Sequence, residues 1–162
     1  KPVETNNTAK NRNTRNKIRE AKVTEPDRIE QTLLACMQAS RENTTYAAER
    51  MAEAGVTFSQ EGFAGYADAL LVAYSTSETP DMARLLAELP EQQAEAAAMA
   101  MTADPLEGEA ASVIDDCVEK LRYKQINVRL KELADKMSAG EGDRTVLLRE
   151  HAELMKKLKE FK

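Results

Sequence analysis

The side chains able to do chemistry are few, and their spacing suits none of the common mechanisms. His151 is the single histidine, and Cys36 and Cys117 are the two cysteines. A zinc or di-iron centre needs three or four His, Cys, Asp or Glu converging on one ion. No such spacing surrounds these residues. Asp115 and Asp116 are neighbours, so on a helix they point about 100° apart and do not share one site. Two solvated carboxylates are expected there. Neither a GxxxxGK[ST] nor a GxGxxG run is present, so no phosphate cradle is expected. No nucleophile motif supports a Ser-His-Asp arrangement. Tyr46, Tyr66, Tyr74 and Tyr123 are too scattered to stack bases. The sequence predicts no catalytic residue, no metal ligand and no cofactor, and therefore no enzyme.

What remains is binding chemistry, and it concentrates at the C-terminal end. Leu147, Leu148, His151, Leu154, Met155, Leu158 and Phe161 recur at helical spacing, with Lys156, Lys157, Lys159 and Lys162 among them. That apolar face is wider than one neighbouring helix covers, and surplus apolar surface marks an interface. The candidate partner-binding residues are Leu147, His151, Leu154, Met155, Lys157, Leu158, Lys159 and Phe161. Seven methionines (37, 51, 82, 99, 101, 137, 155) offer soft, adaptable contact. Met99 and Met101 are expected to pack in a core, which leaves Met155 for an exposed groove.

The elements that position this face read as helices throughout. Glu25-Pro26-Asp27 after Thr24 resembles an N-cap with Pro and acids in the first turn. Ile29, Leu33, Cys36, Met37 and Ser40 follow at helix spacing. A second helix is expected from Asn43 or Thr44 to a stop at Gly55, and Ser59 is expected to open the third. There Phe63, Tyr66, Ala67, Leu70, Leu71 and Tyr74 form the strongest amphipathic stripe in the chain. Thr79-Pro80-Asp81 starts a short fourth helix, and Pro90 starts a fifth, alanine-rich one. From about Glu107 to Met137 a helix of about 30 residues would run about 45 Å. Its stripe is broken: Ile114, Cys117, Val118 and Leu121 lie on one face. Ile126, Leu130, Leu133 and Met137 lie on another, turned by about 140°. One half therefore closes the bundle, and the other needs a separate partner. After a reversal at 139–142, Asp143 caps that partner, the last helix. The expected fold is all-α: a multi-helix bundle, then a C-terminal antiparallel hairpin sharing one long helix with it.

Composition sets the outer bounds. The chain has 162 residues, 4% aromatic and 31% charged, with two cysteines, so neither a disulfide framework nor a turn-rich sandwich is expected. No apolar run approaches the roughly 18 residues of a membrane span, and no secretory signal is visible. No membrane is therefore expected, and the cytosol is the natural compartment. The start at Lys1 rather than Met reads as an excised or processed piece. The net charge of −5 hides three unlike blocks. Residues 1–23 carry seven Lys/Arg against two acids, residues 24–118 four against eighteen, and residues 119–162 twelve against eight. The Asn- and Thr-rich first block, 1–24, reads as a disordered basic linker. The acidic middle repels phosphate, so little direct nucleic-acid binding is expected. The expected units are the linker at 1–24, a bundle at 25–121 and a hairpin at 122–162.

RIEQTLLACMQ, then AGVTFSQEGFAGYADALLVAY, then a short helix ending in LLAELP, together resemble the C-terminal region of bacterial DNA primases. The resemblance covers most of the chain, and it lies in apolar pattern and helix order rather than in a catalytic signature. It implies a helicase-interaction domain, in which the hairpin docks the N-terminal domains of the hexameric replicative helicase. The bundle would then modulate helicase activity within the primosome during DNA replication. Single-stranded DNA-binding protein is a further partner under this reading, and the bacterial cytoplasm at the replication fork is the place. The whole primase would use zinc and magnesium in its other domains; this region would hold neither. EPDRIEQTLLACM also resembles the helicase N-terminal domain itself, though a P-loop ATPase domain rather than a charged hairpin would be expected to follow it. Another helical protein-protein adaptor is the third reading.

Overall fold

The chain is described here by a computed structural model covering residues 25–103 and 108–161. The expected linker at 1–24 and the expected cap at Thr24 lie outside the described residues. Seven helices and no strand are present among them. They are α1 (Glu25–Ala39), α2 (Arg41–Ala54), α3 (Glu61–Thr76), α4 (Met82–Glu88), α5 (Glu91–Met101), α6 (Ala110–Ala139) and α7 (Arg144–Lys159). The fold is all-α.

The bundle is built around α1, which packs against α2, α3, α5 and α6. Four helical neighbours demand more than one apolar stripe. Leu33, Leu34, Cys36 and Met37 are all buried, and even Glu30 is fully enclosed. A buried carboxylate is costly unless it is hydrogen-bonded. Both Glu30 oxygens accept from Ser59, Oε1 from the backbone N–H at 2.5 Å and Oε2 from the hydroxyl at 2.6 Å. Ser59 thus ties the α2–α3 loop to α1 and does not open α3; Gln60 occupies that position.

The start of α2 also differs from expectation, for a related reason. Ser40, not Asn43 or Thr44, is the N-cap, and its Oγ accepts from the Asn43 N–H at 3.1 Å. Asn43 donates its amide to the Cys36 carbonyl at 3.0 Å, and Thr44 donates its hydroxyl to that of Met37. Both side chains are spent on the unpaired carbonyls that end α1. Gly55 stops α2 in the left-handed region at φ 67°, as its position in the sequence predicts.

The α3 stripe packs as its spacing requires. Phe63, Tyr66, Ala67, Leu70 and Tyr74 are buried and Leu71 is half-buried. The phenol of Tyr66 donates to Gln38 Oε1 at 2.9 Å and that of Tyr74 to the Gln38 carbonyl at 2.7 Å, joining α3 to α1. Burial pushes the Tyr66 hydroxyl up to about 12. Ala96, Ala97 and Ala100 give α5 a flat buried face for α3. Met99 packs beside it, but Met101 is exposed, because it ends α5 about 100° from Ala100.

Close approach of α3 and α5 needs glycine at one position. A Cβ on Gly62 would lie 2.7 Å from the backbone oxygen of Gln92, which cannot move without shifting α5. At Gly65 the obstacle is the Gln93 side chain, which can swing away. Gly62→Ala should therefore lose about 1–3 kcal/mol in chemical denaturation, as overpacked interiors do. Gly65→Ala should be near neutral, since removing a helical glycine gains up to about 1 kcal/mol. Equal effects at the two sites would contradict this packing.

Candidate functional site: the hairpin face

The 30 residues of α6 make about 45 Å of helix, and they divide as their stripes do. Ile114, Cys117, Val118 and Leu121 belong to the bundle core. Ile126 and Leu133 are buried outside that core, as is Leu147 of α7. Gln125 marks the junction, donating Nε2 to the Thr57 carbonyl at 2.7 Å. Gly140 at φ 70° and Gly142 at φ 76° turn the chain, and Asp143 caps α7 by accepting from the Thr145 N–H at 2.9 Å.

Among the described residues, α7 makes an extended contact with α6 alone. In the seam Arg129 donates from Nε to Glu150 Oε1 at 2.7 Å and from Nη2 to Oε2 at 3.2 Å. This two-point bond holds the Glu150 carboxyl below the usual glutamate range. Arg129 also reaches Glu132 at 3.2 Å. At the base of the hairpin the Arg122 guanidinium lies 5.1 Å from the Phe161 ring centre, and Tyr123 meets that ring edge-on at 5.5 Å. Arg122 pairs with Glu160 at 3.5 Å. An open groove of about 800 Å³ lies here, lined by Arg28, Ile29, Glu119, Lys120, Tyr123, Lys124 and Phe161.

The candidate binding residues separate into two groups. Leu147 is buried, and His151, Leu154, Leu158 and Phe161 are half-buried; the four on α7 recur at the spacing of its α6-facing stripe. Met155, Lys157 and Lys159 are exposed. Leu148, outside the candidate set, is 50% exposed, more than Met155 at 38%. Its signal was present in the sequence: it falls one residue, about 100°, beyond the packing stripe begun by Leu147. Val128 and Val146 are exposed as well.

Elsewhere the chemistry is structural. Asp115 is not merely solvated: its carboxylate accepts from the Tyr46 hydroxyl at 2.8 Å and from Arg50 Nε at 2.9 Å, joining α6 to α2. The hydrogen bond to Asp115 raises the Tyr46 hydroxyl above its ordinary value. Asp116 is exposed. Cys36 and Cys117 are buried free thiols, both raised by burial, Cys117 to about 11. A thiol so raised is a poor nucleophile and a poor metal ligand. Among the described residues no group of three His, Cys, Asp or Glu is placed to hold a metal, and no helix is long and apolar enough to cross a membrane.

The chain matches no family model, no curated protein and no solved structure.

Proposed function

We propose that this chain is the helicase-binding region of a bacterial DNA primase, docking the primase onto the N-terminal domains of the replicative helicase. The observation that carries the reading is the hairpin. It leaves the bundle on a shared helix, its α7 makes no extended contact with any described helix but α6, and it keeps large apolar side chains in water. A monomer has little use for such a surface unless another protein covers it. The acidic bundle would bear on the helicase after docking and tune its activity. Catalysis would belong to the primase's other domains, with their zinc and magnesium, and the setting would be the bacterial cytoplasm. Single-stranded DNA-binding protein is proposed as a second partner.

Titration calorimetry of the whole chain against the N-terminal domain of the cognate helicase tests this reading. Saturable binding that survives moderate salt is the expected result. No heat and no complex at any accessible concentration would overturn it.

A further inference from the structure

The two flanks of the hairpin differ in kind. On α7 the helical spacing puts Leu148, Ala152, Met155 and Lys159 on one flank, about 100° from the packing stripe. The same rotation on α6 gathers Tyr123, Asn127, Leu130 and Ala134. Because the two helices run antiparallel, equal rotations land on the same side of the hairpin. Leu148, Met155 and Tyr123, at 46%, are exposed there, as are Ala134 and Ala152. Lys131 and Lys159 rim this flank, with Lys156 at its outer edge, and all three are exposed. None of the three joins an ion pair with another described residue.

The opposite flank carries Arg129, Glu132, Glu150, Glu153 and Lys157, and its central charges are spent on one another through Arg129. Val128 and Val146 stand among these charges as single apolar positions. One flank thus mixes acids with bases, and Arg129 ties up its two central carboxylates. The other offers apolar side chains, interrupted by Asn127 and bordered by lysines that form no ion pair among the described residues.

We infer that the flank of Leu148, Ala152, Met155, Tyr123 and Ala134 is the docking surface, and that its occupant is an acidic amphipathic helix of the partner. From Leu148 to Lys159 the band runs about 16 Å, three turns of a docked helix. The two alanines let that helix approach closely, while Leu148, Met155 and Tyr123 supply contact area. The lysines select acids along the helix's borders and speed its encounter. A basic partner segment is repelled. The inference rests on the helicase-binding reading and narrows it to one flank and one ligand chemistry.

Neighbouring positions on opposite flanks provide the test. Ala152→benzoylphenylalanine and Glu153→benzoylphenylalanine are made in the whole chain, mixed with the helicase N-terminal domain and irradiated. Position 152 should cross-link to an acidic helical segment of that domain, and position 153 should not. In calorimetry Leu148→Ala with Met155→Ala should weaken binding at least tenfold, about 1.4 kcal/mol. Glu153→Ala should leave it unchanged. All three side chains are exposed, so helical content by circular dichroism should match the parent chain. Cross-linking from 153 alone, or full affinity in the folded double variant, would overturn this flank while the helicase reading stands. Capture by 152 of only a second copy of the chain would overturn the occupant. Failure of the unaltered chain to bind would remove the reading and the inference together.

Discussion

Replacing Leu70 by alanine should cost 2–5 kcal/mol, the range for emptying a leucine site in a packed interior. Leu70 is wholly buried, and on its own face of α3 it stands between Tyr66 and Tyr74, one helical turn away on either side. Both tyrosines are tethered to Gln38 of α1, so they are poorly free to collapse into the space left behind. A cavity that cannot relax loses the transfer free energy of the deleted atoms and the contacts of its lining as well. The upper half of the range is therefore expected. Leu71→Ala, one residue along and half-buried, should cost clearly less. Urea denaturation of both variants measures the difference. A loss below about 0.5 kcal/mol at Leu70 would mean that α3 presents another face to the core.

The α3 stripe was readable because the large apolar side chains of that helix share one period, while its contact with α5 runs through Gly62 and Gly65 and adds nothing apolar to compete with the pattern. The same holds for Gly55, Asp81 and Asp143, where a local φ or cap requirement is written in a single residue. Reading failed where a residue serves two elements. Asn43 and Thr44 look like helix starters, but they close the end of α1 while Ser40 opens α2. Ser59 looks like a cap because it is a serine before a helical stripe. Its partner, Glu30, is 29 residues away and buried only because α1 is surrounded on several sides. Asp115 could be paired with Tyr46 and Arg50 only once α6 was known to lie on α2. The candidate face was half legible. Counting apolar positions on α7 shows that there are too many for one neighbour. Which of them enter the seam depends on how α6 is rotated there, and that leaves Leu148 outside while Leu147 is buried.

Removing residues 140–162 should leave a bundle that still melts cooperatively but no longer binds the helicase domain. The apolar core drawn from α1 to α6 ends at Leu121, and no residue of α7 belongs to it. Deletion therefore takes little from that core, and the transition of the remaining chain should stay single and sharp. Helical content should fall by more than the 16 residues of α7. Beyond Gln125, Ile126 and Leu133 of α6 would lose the helix that buries them. A helical arm of about 14 residues without a packing partner is marginal in water. Its amides should exchange rapidly in the truncated chain while those of α1 and α3 stay protected. Loss of the cooperative transition would show that hairpin and bundle form one folding unit despite their separate cores. Retained binding by the folded truncation would place the docking surface on the bundle and take it off the hairpin.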